Sequence, residues 1–137
     1  MSLLIKNGII VTSAGTSQAD VLITGGIISV VSQADMPTPD GTVTNVCTGS
    51  LKKDGGKVID AAGMYILPGG VDPHVHMRLP SASGYSSDDF LSGSRAALFG
   101  GTTTIIDFVT PARGETLPVA LKKRMLEAES SLTDYTF

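Results

Sequence analysis

The sequence predicts an α/β protein: a small β-rich unit over residues 1–67, then strands alternating with helices over residues 68–137. Three observations predict it. Short β-prone runs separated by Gly and Asn fill the first stretch. The apolar period changes after Gly69-Gly70, from strand-like to helical. Beyond that point β-prone and helical segments follow one another at lengths typical of βαβ units, which implies a parallel sheet. A closed eight-stranded β/α barrel takes about 250 residues. About 67 residues follow Gly70, enough for two βα units and the start of a third.

Each element has its own signal. Leu3–Lys6 leads into Asn7-Gly8 and Ile9–Thr12, and Asn-Gly between β-prone runs predicts a hairpin. Asp20–Thr24, Gly25-Gly26 and Ile27–Ser32 predict a second, giving a small antiparallel sheet. Residues 35–57 are rich in Pro, Gly, Asp and Lys, and read as a surface loop with one short strand near Thr42–Val46. Lys57–Asp60 and Met64–Leu67 flank Ala61-Ala62-Gly63 as two short strands. Val71–His76 is the next strand, and residues 80–87 form a Ser/Gly/Pro loop. Ser86-Ser87-Asp88-Asp89 predicts a helix start, with Ser as N-cap and Asp in the first turn. Phe90, Leu91, Ser94, Ala97 and Leu98 mark that helix's apolar face, and Gly100-Gly101 ends it. Thr102–Val109 reads as a strand buried on both faces. After a loop over Pro111–Gly114, the residues Leu117, Ala120, Leu121, Met125 and Ala128 mark a second helix closing near Ser130. Asp134–Phe137 is the entry to a third strand.

Composition narrows the function. Hydrophobic residues make up 42% and charged residues 17%, enough apolar content for a packed core. A net charge of −3 without clustered Lys and Arg argues against nucleic-acid binding. No apolar run reaches the ~18–20 residues that cross a bilayer. The N-terminus lacks the pattern of a secretory signal, and a single cysteine, Cys47, suits a reducing compartment; a cytoplasmic location is the expectation.

The chemistry concentrates in Leu67-Pro68-Gly69-Gly70-Val71-Asp72-Pro73-His74-Val75-His76-Met77, which holds both histidines of the chain. On a strand, residues i and i+2 point to the same side. His74 and His76 would present two imidazoles to one space, and neutral imidazole is a good zinc ligand. Asp72 shares their parity and is a candidate for the ligand side, or for orienting an imidazole from behind. A lone His-x-His pair is weak evidence by itself. Its position at the end of the first strand of a β/α series strengthens it.

That stretch resembles the first metal motif of the amidohydrolase superfamily, in its dihydropyrimidinase/hydantoinase branch. The likeness extends to Leu4–Val11, to Ser87-Asp88-Asp89-Phe90, to Ala96-Ala97-Leu98 and to Gly100–Val109. It covers nearly the whole chain, apart from residues 36–57, which look like an insertion. The resemblance implies an N-terminal β-sandwich segment followed by the first βαβα portion of an incomplete TIM-type (β/α)₈ barrel. It also implies a binuclear centre, usually of zinc, bridged by a carboxylated lysine and a hydroxide that attacks a cyclic ureide or imide. This is the chemistry of pyrimidine catabolism. His74 and His76 would be metal ligands; the lysine, two later histidines and an aspartate of the family come from later strands and have no counterpart here. Lys122 and Lys123 lie on a helix and are no substitute. The isolated chain is therefore expected to be inactive, and a full-length protein to be a homo-oligomer, commonly a tetramer. Family enzymes usually place an aromatic-containing loop over the substrate; this chain has Ser81-Ala82-Ser83-Gly84-Tyr85 there, which leaves the substrate open.

The alternative is a non-catalytic scaffold related to the collapsin-response mediators. That branch typically lacks the second histidine, so His76 favours the enzymatic lineage. The other reactive residues read as structural: Cys47 as a bystander, Asp107 as a strand-end group, Ser86-Ser87 as a cap rather than a nucleophile. Gly100-Gly101 is a helix stop, since no Gly-x-Gly-x-x-Gly pattern precedes a helix.

Overall fold

A computed structural model describes residues 2–33 and 55–137. The chain divides into two compact units at the Leu67–Pro68 junction. The expected strand near Thr42–Val46, Cys47 and most of the 36–57 insertion lie outside the described residues.

The first unit is one five-stranded sheet. Strand β1 spans Ser2–Thr12, β2 Gly15–Thr24, β3 Ile27–Gln33, β4 Lys57–Asp60 and β5 Tyr65–Ile66. Their order is β3-β2-β1-β4, with β5 pairing further along β1. The β2–β3 hairpin turns at Gly25-Gly26, whose φ angles of 60° and 82° lie in the left-handed region that this two-residue turn demands. The Asn7-Gly8 hairpin does not form. Strand β1 runs straight through it, and the register slips between Ile5 and Gly8. Asn7 does adopt a positive φ of 62°, but as a bulge. Its N–H donates to Asp20 Oδ1 (2.9 Å) and its amide to Asp60 Oδ1 (2.9 Å), so the extra residues are tied to both neighbouring strands. The hairpin instead closes where Thr12 pairs with Gly15. The sheet is mixed rather than wholly antiparallel, because β4 and β5 run parallel to β1. Leu4 and Leu22 form its core, with Val30 packed against them.

The second unit contains β6 (Gly70–Val75), the two-residue pair β7 (Pro80–Ser81) and β8 (Gly84–Tyr85), helix α1 (Phe90–Phe99), β9 (Thr102–Asp107), α2 (Leu117–Ala128) and β10 (Asp134–Thr136). Strands β6, β9 and β10 form a three-stranded sheet in the order β10-β9-β6, parallel throughout. Met77, Phe90, Ile105 and Ala128 are its core; Val75, Ala97 and Phe137 pack on them. Ser94 is buried, donates to the Phe90 carbonyl and accepts the Leu132 N–H (2.9 Å), which pins α1 to the segment before β10.

Three local expectations change. The N-cap of α1 is Asp89, not a serine. Its carboxylate accepts Ser92 N–H (2.8 Å) while Ser92 Oγ accepts Asp89 N–H (3.1 Å), a reciprocal capping box. The helix stripes are rotated. In α1 the inward residues are Phe90, Gly93, Ser94 and Ala97, while Leu91 and Leu98 are partly exposed; in α2 they are Ala120 and Ala128, while Leu117 and Met125 face outward. Arg124, one turn from each buried alanine, explains the second rotation: its guanidinium points inward to a partner on β9. Strand β9 buries only Ile105 and Asp107, the face covered by the helices, so it is not buried on both faces.

Candidate metal-binding strand end

The site begins with the ladder. Strand β6 pairs with β9 in parallel, Asp72 opposite Ile105 and Val75 opposite Asp107, with an irregularity between those two pairs. The strand ends at Val75, so His74 is its penultimate residue and His76 follows directly. Both imidazoles are exposed. Their Nε2 atoms lie 3.2 Å apart and the rings meet edge-on, with centroids separated by 5.0 Å. The Phe108 ring lies against both, at 4.6 and 5.2 Å between centroids.

This spacing can be tested against a metal. Two ligands on a tetrahedral ion at 2.0–2.1 Å stand about 3.3–3.4 Å apart. The observed 3.2 Å falls close to that value, and is also the length of a hydrogen bond between the two rings, so the separation is compatible with one shared ion. The donor set fits zinc, and it supplies two ligands. Among the described residues no group of three or more His, Cys, Asp and Glu side chains converges on a metal position.

Asp72 lies two residues before His74 on the same strand. Its Oδ1 accepts the His74 N–H (3.1 Å), so it fixes the backbone that carries the first imidazole. Asp72 and His76 line one groove with Ser86, Asp88 and Ile105. Ser86, expected to cap the helix, closes the turn after His76: its Oγ donates to the His76 carbonyl (3.3 Å) and accepts the Leu79 N–H (2.8 Å). The chain then reverses through Arg78, whose φ is 46°, and Arg78 N–H reaches the Asp88 carbonyl (2.6 Å). The Arg78 guanidinium stacks over Tyr85 at 4.9 Å.

Beneath the pair lies a buried group that sequence reading placed only as structural. Asp107, at 1% exposure, receives the Met77 N–H (3.0 Å) and an Arg124 Nη2 (2.8 Å) on one oxygen, and the Phe108 N–H (2.5 Å) on the other. Arg124 also donates to the Met77 carbonyl and to Glu127 (2.6 Å), and its guanidinium lies 4.7 Å over the Phe90 ring. Arg124 was missed because a cation on a helix reads as solvated. The only available sequence signal was its i±4 spacing from Ala120 and Ala128.

No protein-family model matches the chain. The D-hydantoinase of Geobacillus stearothermophilus is 41% identical over 138 residues, which cover all of this chain and 26% of that protein. Dihydropyrimidinase 2 of Caenorhabditis briggsae is 44% identical over 120 residues, 88% of this chain and 20% of that protein. The chain matches the N-terminal portion of the hydantoinase/dihydropyrimidinase family. A crystal structure of D-hydantoinase superimposes with a TM-score of 0.80 at 40% identity, covering 98% of this chain and 26% of that one. The dihydropyrimidinase of Brevibacillus agri NCHU1002 gives 0.79 at 38% identity, with the same coverage. The chain thus spans about a quarter of the length of these relatives. Among the described residues no helix is long and apolar enough to cross a membrane.

Proposed function

We propose that this chain carries the first two metal ligands of a metal-dependent cyclic amidohydrolase of the hydantoinase/dihydropyrimidinase type, hydrolysing a C–N bond in a cyclic amide. The observation that carries the reading is the 3.2 Å approach of His74 and His76 Nε2 at a parallel strand end, in a chain similar to D-hydantoinase throughout its length. Zinc bound there would polarise a carbonyl and acidify water. The chain's own part is to hold and orient. His74 and His76 supply the nitrogens, Asp72 fixes the His74 backbone, Ser86 closes the turn behind His76, and Phe108 gives both rings an apolar wall.

The same reading extends to the architecture. The mixed sheet of the first unit is one layer of a composite sandwich carrying an insertion over residues 36–57. The parallel βαβαβ unit is the opening of a (β/α)₈ barrel. Strand-end residues at a barrel's C-terminal face meet the mouth where active sites of that fold lie. The substrate class is a small cyclic ureide or imide, the compartment the cytoplasm, and the assembled protein a homo-oligomer. Two imidazoles do not make a binuclear centre, so the 137-residue chain alone should not turn over substrate.

A chimera tests this. In the Geobacillus D-hydantoinase, this chain replaces the segment aligned with it. The chimera with zinc should hydrolyse hydantoin or dihydrouracil, and His74→Ala with His76→Ala should abolish it. A folded chimera without activity would support the scaffold reading. Activity that survives loss of both histidines would refute the ligand assignment.

A further inference from the structure

Asp107 and Arg124 are the buried charged pair of the second unit, with side-chain exposures of 0% and 11%. Burying an ion pair gains little stability over an apolar pair of similar volume, so its presence calls for a function. The geometry supplies one. The pair holds a single residue, Met77, at both of its peptide groups: Asp107 Oδ2 takes its N–H and Arg124 Nη2 donates to its carbonyl. Met77 directly follows His76. The other carboxylate oxygen takes the N–H of Phe108, whose ring lies against both imidazoles. One carboxylate therefore fixes the residue behind the second imidazole and the residue that walls both.

The surroundings leave the clamp little freedom. Met77 is itself buried among Phe90, Ile105 and Ala128. A side-chain carbon at Gly93 would lie 2.3 Å from Met77 Sδ, so the α1 backbone closes over it. Arg124 is braced by Glu127 on one nitrogen and by the Phe90 ring beneath. Asp107 accepts three donors, two on Oδ2 and one on Oδ1; an amide in its place would turn one acceptor into a donor facing another donor.

We propose that Asp107 and Arg124 are positioning residues for the metal clasp, holding His76 at the separation from His74 that an ion requires. This rests on the zinc reading of the pair. Groups that orient metal ligands from behind typically contribute 10–100-fold to metal affinity.

The test uses the 137-residue chain, titrated with Co²⁺ and with Zn²⁺, as wild type and as Asp107→Asn, Arg124→Gln and Arg124→Lys. Circular dichroism and amide hydrogen exchange at Met77 are followed on the metal-free forms. Ala128→Gly, which loosens the core around Met77 but removes none of the clamp's hydrogen bonds, controls for general destabilisation. Asp107→Asn and Arg124→Gln should keep the fold, speed exchange at the Met77 amide, and weaken metal binding by about tenfold or more. Arg124→Lys should recover part of that loss, and Ala128→Gly should bind like wild type. If one variant unfolds, the other folded variant carries the comparison. Wild-type uptake with unchanged affinity in the folded clamp variants overturns the proposal and leaves the metal reading standing. So does a loss in Ala128→Gly as large as theirs. A wild-type chain that takes up neither ion overturns the metal reading and the proposal with it.

Discussion

Removing the Phe90 ring should take away a third or more of the stability of the second unit. Phe90 is 1% exposed, and its ring meets Tyr135, Phe137 and the Arg124 guanidinium. Truncating a buried Phe to Ala costs about 3–5 kcal/mol, and the lost cation–π contact about 0.5–2 kcal/mol, part of which the first figure already contains. A folded unit of this size is stable by about 4–10 kcal/mol at 0.05–0.15 kcal/mol per residue. With a urea dependence of about 1 kcal/mol per molar, Phe90→Ala should lower the midpoint by about 3–5 M. Phe90→Leu keeps most of the volume and loses the π face, so it should cost about 1–2 kcal/mol. Urea titrations followed by circular dichroism, with amide exchange at Ile105, read both. A drop of less than about 1 M for Phe90→Ala would refute the placement of this ring at the centre of the core.

Two further perturbations follow from the caps and the bulge. The carboxylates of Asp60, Asp89 and Glu115 are held below their usual range, chiefly by the Asn7 side-chain amide, by the Ser92 N–H and by Lys123 respectively. A depressed carboxylate stabilises the fold above its unfolded pKa and loses that contribution as pH falls through its folded one. Urea midpoints should therefore hold steady from pH 7 to about 4.5 and fall below it, and Asp89→Ala should flatten part of that fall. In the bulge, Asn7→Ala and Asn7→Gly both lose the amide link to Asp60, but only Ala must strain at φ 62°. Alanine should be the less stable of the two by about 1 kcal/mol, measured by thermal unfolding.

Much of the frame was legible because two periods carry it. The switch from period 2 to period 3.6 after Gly70 located the parallel unit, and Gly25-Gly26 located a hairpin whose turn needs two left-handed residues. Asn7-Gly8 misled because positive φ serves a bulge as well as a turn, and only cross-strand partners such as Asp20 and Asp60 distinguish them. In α2, counting apolar side chains overlooks an inward cation. Arg124 became visible only with Asp107 beneath it. The histidine pair was legible because strand parity alone puts i and i+2 on one side. What parity could not supply was the 3.2 Å approach of the two nitrogens, beside a turn to which Ser86 and Asp107 hydrogen-bond.

The central claim is that His74 and His76 share one ion. X-ray absorption of the zinc-loaded chain tests it most directly. One zinc per chain is expected, with two imidazole nitrogens at about 2.0–2.1 Å, and loss of one imidazole in each of His74→Ala and His76→Ala. Zinc with ligands unchanged by either substitution, or no zinc at all, would contradict it.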